Sequence, residues 1–463
     1  MRAHLWMVAV ALAPAVSNAE TYYVATDGSD DAAGTEAAPW QSLQHAADEV
    51  KAGDTVIVRP GDYQGFQLET SGTEAAGIVF KGDAGANITG DNPSTPDGIN
   101  LEGASFVTVE GFTVTGASRT GIRAVLCEHV TIRGNKADMN GRWGIITGFC
   151  DDLLIENNEC SRSADEHGIY VSNSGDRPIV RNNIMWGNNA NGLHMNGDAS
   201  AGGDGVISGA LVEGNVIYDN GSAGGSGING DGVADSVIRN NLLYDNHASG
   251  ISLYSIDGGA PSTNNLVINN TIVMAADARW AVNIQDASTG NKLRNNILLH
   301  KGSRGAVDLC GPCMSGFESD FNVVTGTFTL DDQQINLNTW KTMTGGDGSS
   351  MAAGEGELFV APATADYSLL ATAPAVDHGS TTDALNVDLA GNGRPQGSGI
   401  DIGALERCEG PCKQPPTGGG DGDGDGEGGG CCGAGHGLGS GALAPLVLGL
   451  LARRRRRAHS KNV

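Results

Sequence analysis

A chain of 463 residues with 71 glycines and only 5% aromatic residues is not built around one large globular core; stacked aliphatic rows must supply its burial instead. Its formal net charge of −26 excludes a nucleic-acid partner, which requires a basic face. An acidic polysaccharide remains open, because a cation or a local basic cluster can screen it.

Residues 1–19 read as a secretory signal: Arg2 and His4 precede the apolar run Leu5–Val16, and Ser17-Asn18-Ala19 fits a small-residue cleavage site. The run is too short to span a bilayer. Export in turn permits disulfides. Further on, Trp40, Leu43, Ala47 and Val50 share one face of a short amphipathic helix near residues 41–51. Its expected role is to cap the open N-terminal end of a solenoid. Asp54-Thr55-Val56-Ile57-Val58-Arg59-Pro60-Gly61-Asp62-Tyr63 reads as the first coil, with strands following at Gly77–Lys81 and Phe106–Val114.

From Gly121 to Gln285 one pattern recurs. Each unit opens on Gly plus an aliphatic residue: Gly121-Ile122, Gly144-Ile145, Gly168-Ile169, Gly192-Leu193, Gly227-Ile228 and Gly250-Ile251. Each also places an aliphatic residue three positions before an Asn, at Asn135, Asn158, Asn183, Asn215, Asn241, Asn270 and Asn296. The Asn steps are 23, 25, 32, 26, 29 and 26 residues, and Phe112 takes the same place in an earlier coil. Short β-like runs at this period, with no helical periodicity, predict an all-β chain: a single-stranded right-handed parallel β-helix with an N-terminal capping helix. The repeated Asn should stack as a ladder, and the long steps should be loops added outside a constant coil. Coils are expected to run to about Asn322.

Cys127 and Cys150 each lie five residues after their coil's Ile. They should therefore stack in adjacent coils at a strand spacing of roughly 4.8 Å, within disulfide reach. Cys310/Cys313 and Cys408/Cys412 suit small disulfide clips, with zinc as the competing reading. Thr325–Met351, with Trp340, reads as a loop or short helix, and Leu358–Glu406 as the segment that covers the far end. The β-helix and its caps thus occupy 20–406.

Residues 407–430 are a Gly/Asp-rich linker. The tail, 431–463, begins with Cys431-Cys432, continues with the apolar run Leu443–Ala452 and reaches Arg453–Arg457. That order resembles the C-terminal sorting tails of bacterial surface proteins, the myxosortase type in particular. The resemblance implies cleavage near the cysteines and attachment to the cell envelope. A plain charged end is the alternative.

Alternation along each strand defines an outward file. It contains Arg123, Tyr170 and Ser172, His194 and Asn196, Asn229 and Asp231, Ser252 and Tyr254, and Asn283 and Gln285. Flanking stretches add Asp165-Glu166-His167, the run from Asp198 to Asp204, and Trp280. Such a file suits an extended sugar chain, since Asn, Ser and Gln bond hydroxyls while Tyr and Trp offer stacking faces. His194, His167 and Tyr170 are the residues able to exchange a proton. Arg123, Ser172, Asn196, Asn229, Ser252, Tyr254, Trp280, Asn283 and Gln285 are the expected substrate contacts. Asp198, Asp204 and Asp231 are the candidate ligands for Ca2+, or a hydrolytic carboxylate pair.

The block Tyr22-Tyr23-Val24 … Gly28-Ser29-Asp30 … Gly53–Tyr63, with Arg394-Pro395 and Asp401-Ile402-Gly403 near the end, resembles the pectate-lyase-like right-handed parallel β-helix superfamily. It is closest in style to family-nine pectate lyases. Lyases of that type use a lysine base beside an aspartate calcium nest. Here the outward file holds no lysine, and Lys292 and Lys301 lie in later coils. The resemblance implies a secreted or surface-attached bacterial polysaccharide lyase. It would be a monomer cleaving a uronate polymer by β-elimination, with His194 or Tyr170 in place of the lysine. A glycoside hydrolase with paired carboxylates, or a non-catalytic glycan-binding adhesin, are the alternatives.

Overall fold

The computed structural model describes residues 19–408 and 410–416. Nearly all of the stretch read as a secretory signal, most of the expected linker and the whole stretch read as a sorting tail lie outside the described residues. Successive coils build three twelve-stranded sheets, and together they form a right-handed parallel solenoid of about twelve turns. The first sheet runs from Thr21–Val24 to Glu318–Asp320, the second from Phe66–Leu68 to Gln333–Asn336, and the third from Gly61–Tyr63 to Met351–Ala352. Within these three sheets only the last strand of the second, Gln333–Asn336, pairs antiparallel; Phe359–Ala361 and Asp366–Leu369 form a separate antiparallel pair.

Each coil turns between sheets at the residues the repeat singles out. Asn135, Asn158, Asn183, Asn215, Asn241, Asn270, Asn296 and Asn322 stack as one ladder, each Nδ2 donating to the next Oδ1 at 2.9–3.2 Å. Phe112 occupies the rung before Asn135, and its backbone N–H donates to Asn135 Oδ1. The residue before each Asn is left-handed, as at Asn157 (φ 56°) and Asn240 (φ 52°). Asn tolerates that conformation better than most residues, which explains the Asn-Asn pairs. Asn188, Asn220 and Asn246 form a second ladder between the third and second sheets, which the sequence reading did not separate from the first.

The glycine that opens each second-sheet strand is a matter of space. A Cβ on Gly144 would lie 2.6 Å from the Gly168 carbonyl oxygen, and one on Gly192 2.4 Å from Ile217. Only Gly lets successive coils approach this closely. Cys127 and Cys150 are register partners and form a disulfide, and Cys310–Cys313 and Cys408–Cys412 are bonded as well. Cys160 is free and buried.

The helix Leu43–Glu49 lies within the predicted range, with Trp40, Leu43, Ala47 and Val50 all buried. It packs on the opening strands of the first and second sheets. At the other end the expectation needs correcting. The last coil is packed by helix Leu337–Thr344, whose buried Trp340 stacks on Phe328 at 4.6 Å. Leu358–Glu406 instead runs back along the outside of the third sheet. Leu389, Ile402 and Ala404 there share a hydrophobic cluster with Val216, Leu242, Ile297 and Val323. The cause is visible in one register row, Lys136–Glu159–Ile184–Val216–Leu242–Thr271–Ile297–Val323. It changes from charged to apolar after Glu159, and an apolar outer face needs cover.

Candidate functional site

The second sheet carries the outward file. Its register sets Asn100, Arg123, Ile146, Tyr170, His194, Asn229, Ser252, Asn283 and Asp308 in one row. A parallel row holds Gly148, Ser172, Asn196, Asp231 and Tyr254. Val171, Met195, Leu253 and Ile284, between the two rows, are fully buried in the core.

The rows differ in what covers them. In the first row Tyr170, His194 and Asn283 are partly exposed while Asn229 and Ser252 are buried; in the second Ser172, Asn196 and Asp231 are buried and Tyr254 is partly exposed. The two long repeat steps supply the cover. Gly259 N–H donates to the Gly205 carbonyl at 2.7 Å and Ala199 N–H to that of Asp257 at 3.0 Å, tying the loops around 197–206 and 255–260 into one wall. The open face expected from the sequence is therefore roofed along this second row.

At the centre lie His167, Tyr170 and His194. His167 Nε2 is 3.0 Å from His194 Nδ1, and the Tyr170 ring stacks on His194 with centroids 4.9 Å apart. Asn196 Nδ2 donates to the Tyr170 hydroxyl at 3.3 Å. Burial pushes His194 down to about 4. His167 is held well below its usual value by burial, then by the charges of His194 and Arg142. Burial raises Tyr170, so its phenol is protonated at neutral pH. Beneath the centre, Glu166 accepts from Arg142 Nη2 at 2.6 Å and from Trp143 Nε1 at 2.9 Å, which fixes the loop that carries His167.

The other expected contacts divide. Asn229 Nδ2 donates to the Tyr254 hydroxyl at 2.8 Å, and Ser252 bonds Ser226. Burial and the Asp231 charge push Tyr254 up to about 12. Gln285 donates to Asn283, while Trp280 donates to Thr329 and lies under Arg304. Arg123 is paired with Glu102 and also donates to Asn100, three coils before His194 along the row.

The three aspartates expected to hold calcium are locally engaged. Asp231 accepts from the backbone N–H groups of Ile256, Asp257 and Gly258, which anchors the loop. Asp198 accepts from Ser200, and Asp204 from Val206 N–H. Among the described residues no group of three or more His, Cys, Asp or Glu side chains is arranged to hold a metal. As arranged, these three carboxylates serve the loop backbone and Ser200. Lys292 pairs with Glu318, and Lys301 with Asp245, both away from the file.

Two acidic residues outside the expected catalytic, contact and calcium sets join the site. Asp257, on the wall beside Asn196, is raised by burial and by the charges of Asp231 and Asp198. Asp308 follows Asn283 in the outward row and is pushed up to about 6 by burial and by Asp332. Carrying the file one coil further would have found Asp308, but its coil reads Gly305-Ala306-Val307 and breaks the Gly-aliphatic signal.

Comparison with known proteins agrees with this fold. Pectate lyase PEL9 of Emericella nidulans is 43% identical over 95 residues, 20% of this chain and 23% of that protein. The uncharacterized protein YwoF of Bacillus subtilis is 27% identical over 223 residues, 46% of this chain and 44% of its own length. The chain thus spans less than half the length of either curated relative. The crystal structure of pectate lyase Pel9A superposes with a TM-score of 0.60 at 17% identity, covering 85% of this chain and 98% of that one, a likeness of fold. The family described as "Pel9A-like, right handed beta helix region" matches residues 22–283, more than half of the chain, and the protein belongs to that family.

Proposed function

We propose that this protein is a carbohydrate-active enzyme that cleaves a uronate-containing polysaccharide by β-elimination. The observation that carries this reading is the Tyr170–His194–His167 cluster, set in a polar file beside a loop wall on a Pel9A-like β-helix. Elimination needs one group to take the proton beside the uronate carboxylate and another to give a proton to the departing glycosidic oxygen. The protonated Tyr170 phenol suits the second task. Proton removal falls to His194 of the same cluster or to the adjacent Asp257 carboxylate. Asn229, Ser252, Asn283 and Gln285 extend the row along which an acidic chain would lie.

The test is a panel of uronate and neutral polysaccharides, with and without calcium, followed by absorbance of the unsaturated product and by reducing ends. Release of unsaturated ends is expected, with Tyr170→Phe lowering kcat by about 10²–10⁴-fold. A Tyr170→Phe enzyme of full activity would move the centre elsewhere. New reducing ends without unsaturation would instead favour hydrolysis, for which Asp308 is the candidate acid. Binding without cleavage of any polymer would favour a glycan-binding role.

Export and envelope attachment belong to the same proposal, carried by residues 1–19 and by the Cys431-to-Arg457 tail. Retention of the full chain on the envelope, and release of a chain ending at Lys413, is the expected result of fractionation.

A further inference from the structure

A relay of three hydrogen-bonded links, Ser226 to Asn191 to His167 to His194, ends on an imidazole N–H without a partner among the described residues. Ser226 N–H donates to Asn191 Oδ1, which fixes the orientation of that amide. Asn191 then turns two donors on one acceptor: its backbone N–H is 3.3 Å, and its Nδ2 3.2 Å, from His167 Nδ1. A ring nitrogen facing two N–H groups is held as a bare acceptor, so neutral His167 carries its proton on Nε2. That proton faces His194 Nδ1, 3.0 Å away and its shorter contact, with Glu166 Oε2 3.4 Å from the same His167 nitrogen. His194 Nδ1 is therefore an occupied acceptor, and the proton of His194 sits on Nε2. Nε2 of His194 is buried and makes no hydrogen bond among the described residues.

We infer that His194 serves the centre as a neutral hydrogen-bond donor, offering Nε2–H to a carboxylate oxygen of a bound uronate, and that Asn191 is the positioning residue that sets this tautomer. The role rests on the reading of the cluster as the reactive centre; the tautomer rests on the hydrogen bonds alone. A buried N–H left unpaired destabilises the site, a cost that a ligand oxygen would recover. Tyr170 adds a second free donor on the stacked ring, since its oxygen already accepts from Asn196. During elimination negative charge grows on the uronate carboxylate as the neighbouring proton leaves. A fixed neutral donor stabilises that charge without reorganising. His194 cannot itself take the proton while this chain of bonds holds. One of its nitrogens is already protonated and the other receives His167. Proton removal is thereby left to the Asp257 carboxylate.

The direct test is nitrogen NMR of the full chain labelled with 15N at histidine. At pH 7 His167 and His194 should both be neutral with the proton on Nε2, and an oligouronate should shift His194 Nε2. Asn191→Asp, which presents an acceptor to His167 Nδ1, should move the His167 proton to Nδ1 and remove the donor at His194 Nδ1. On a polymer the protein cleaves, His194→Ala should lower kcat by about 10²–10³-fold, whereas His194→Gln, which keeps an N–H, should recover much of it. No limb of the pH–rate profile between about pH 5 and 8 should vanish with His194→Gln. A His194 proton found on Nδ1, or a limb that does vanish, would overturn the inference. The two readings fail separately. An inactive protein with the Nε2–H tautomer and an oligouronate shift refutes only the lyase, and an active one with Nδ1–H refutes only the donor.

Discussion

Asp308 shows how a single side chain acquires chemistry from its place in a file. It is only 8% exposed, and burial first, then the Asp332 charge, push its carboxyl up to about 6 against the opposing pull of Gln285 and Arg304. A carboxyl raised on folding binds more protons in the native than in the unfolded chain between its ordinary value of about 4 and 6. Its contribution therefore favours folding at low pH and declines as pH rises through that window. Asp308→Asn should raise the unfolding midpoint at pH 7, by on the order of 1 kcal/mol, and leave it nearly unchanged at pH 4. Equal shifts at both pH values would count against this account. Which residues stand in the file was legible from strand alternation, so Tyr170, His194, Asn229 and Ser252 appear where expected. What each can do was not. The bond between His167 and His194 and the engagement of Asp231 by the 256–258 backbone depend on loop paths that no period encodes.

Among the elements, the Asn ladder is the one most directly written in the sequence, because a turn buried between stacked coils must satisfy its own backbone. Asn215 accepts from the backbone and side chain of Asn183 and donates to the Val180 carbonyl and to Asn241. Asn215→Ala would leave the Asn183 N–H and the Val180 carbonyl without these partners in a dry turn. A loss of about 2–5 kcal/mol is expected, read as a lower denaturant midpoint. A shift below about 0.5 kcal/mol would mean that water or a neighbouring rung replaces the amide. The second ladder, at Asn188, Asn220 and Asn246, escaped notice because its rungs alternate with other residues in the early coils. The glycine column, in contrast, was visible as a repeat, although its cause, the approach of one coil's carbonyl to the next, is a spatial fact.

At the scale of the molecule, one face of the solenoid is left to the 2-His-and-Tyr centre while another is closed by the chain itself. The segment Leu358–Glu406 buries Ile402, Ala404 and Leu389 against the third sheet. It is pinned by Arg394, whose guanidinium donates to Glu406 and to the Asp401 and Gly403 carbonyls in a fully buried pair. Ile402→Asp places an unpaired charge in that layer. It should expose the apolar row from Val216 to Val323, giving increased binding of a hydrophobic dye and a midpoint lowered by several kcal/mol, on the order of 3. Unchanged dye binding would show that the segment is not needed to cover the row.

The sequence by itself determined the solenoid, its coil register, the Cys127–Cys150 bridge and the identity of the outward residues, because all of these follow from local periodicity repeated at a constant rise. Only the tertiary structure decided where the non-repeating parts go. The 197–206 and 255–260 loops meet over one row of the file, and the 358–406 segment lies along a flank instead of over the end. A period specifies what stacks on what. The path of a segment without a period is chosen by the surface left uncovered, which exists only once the coils have formed.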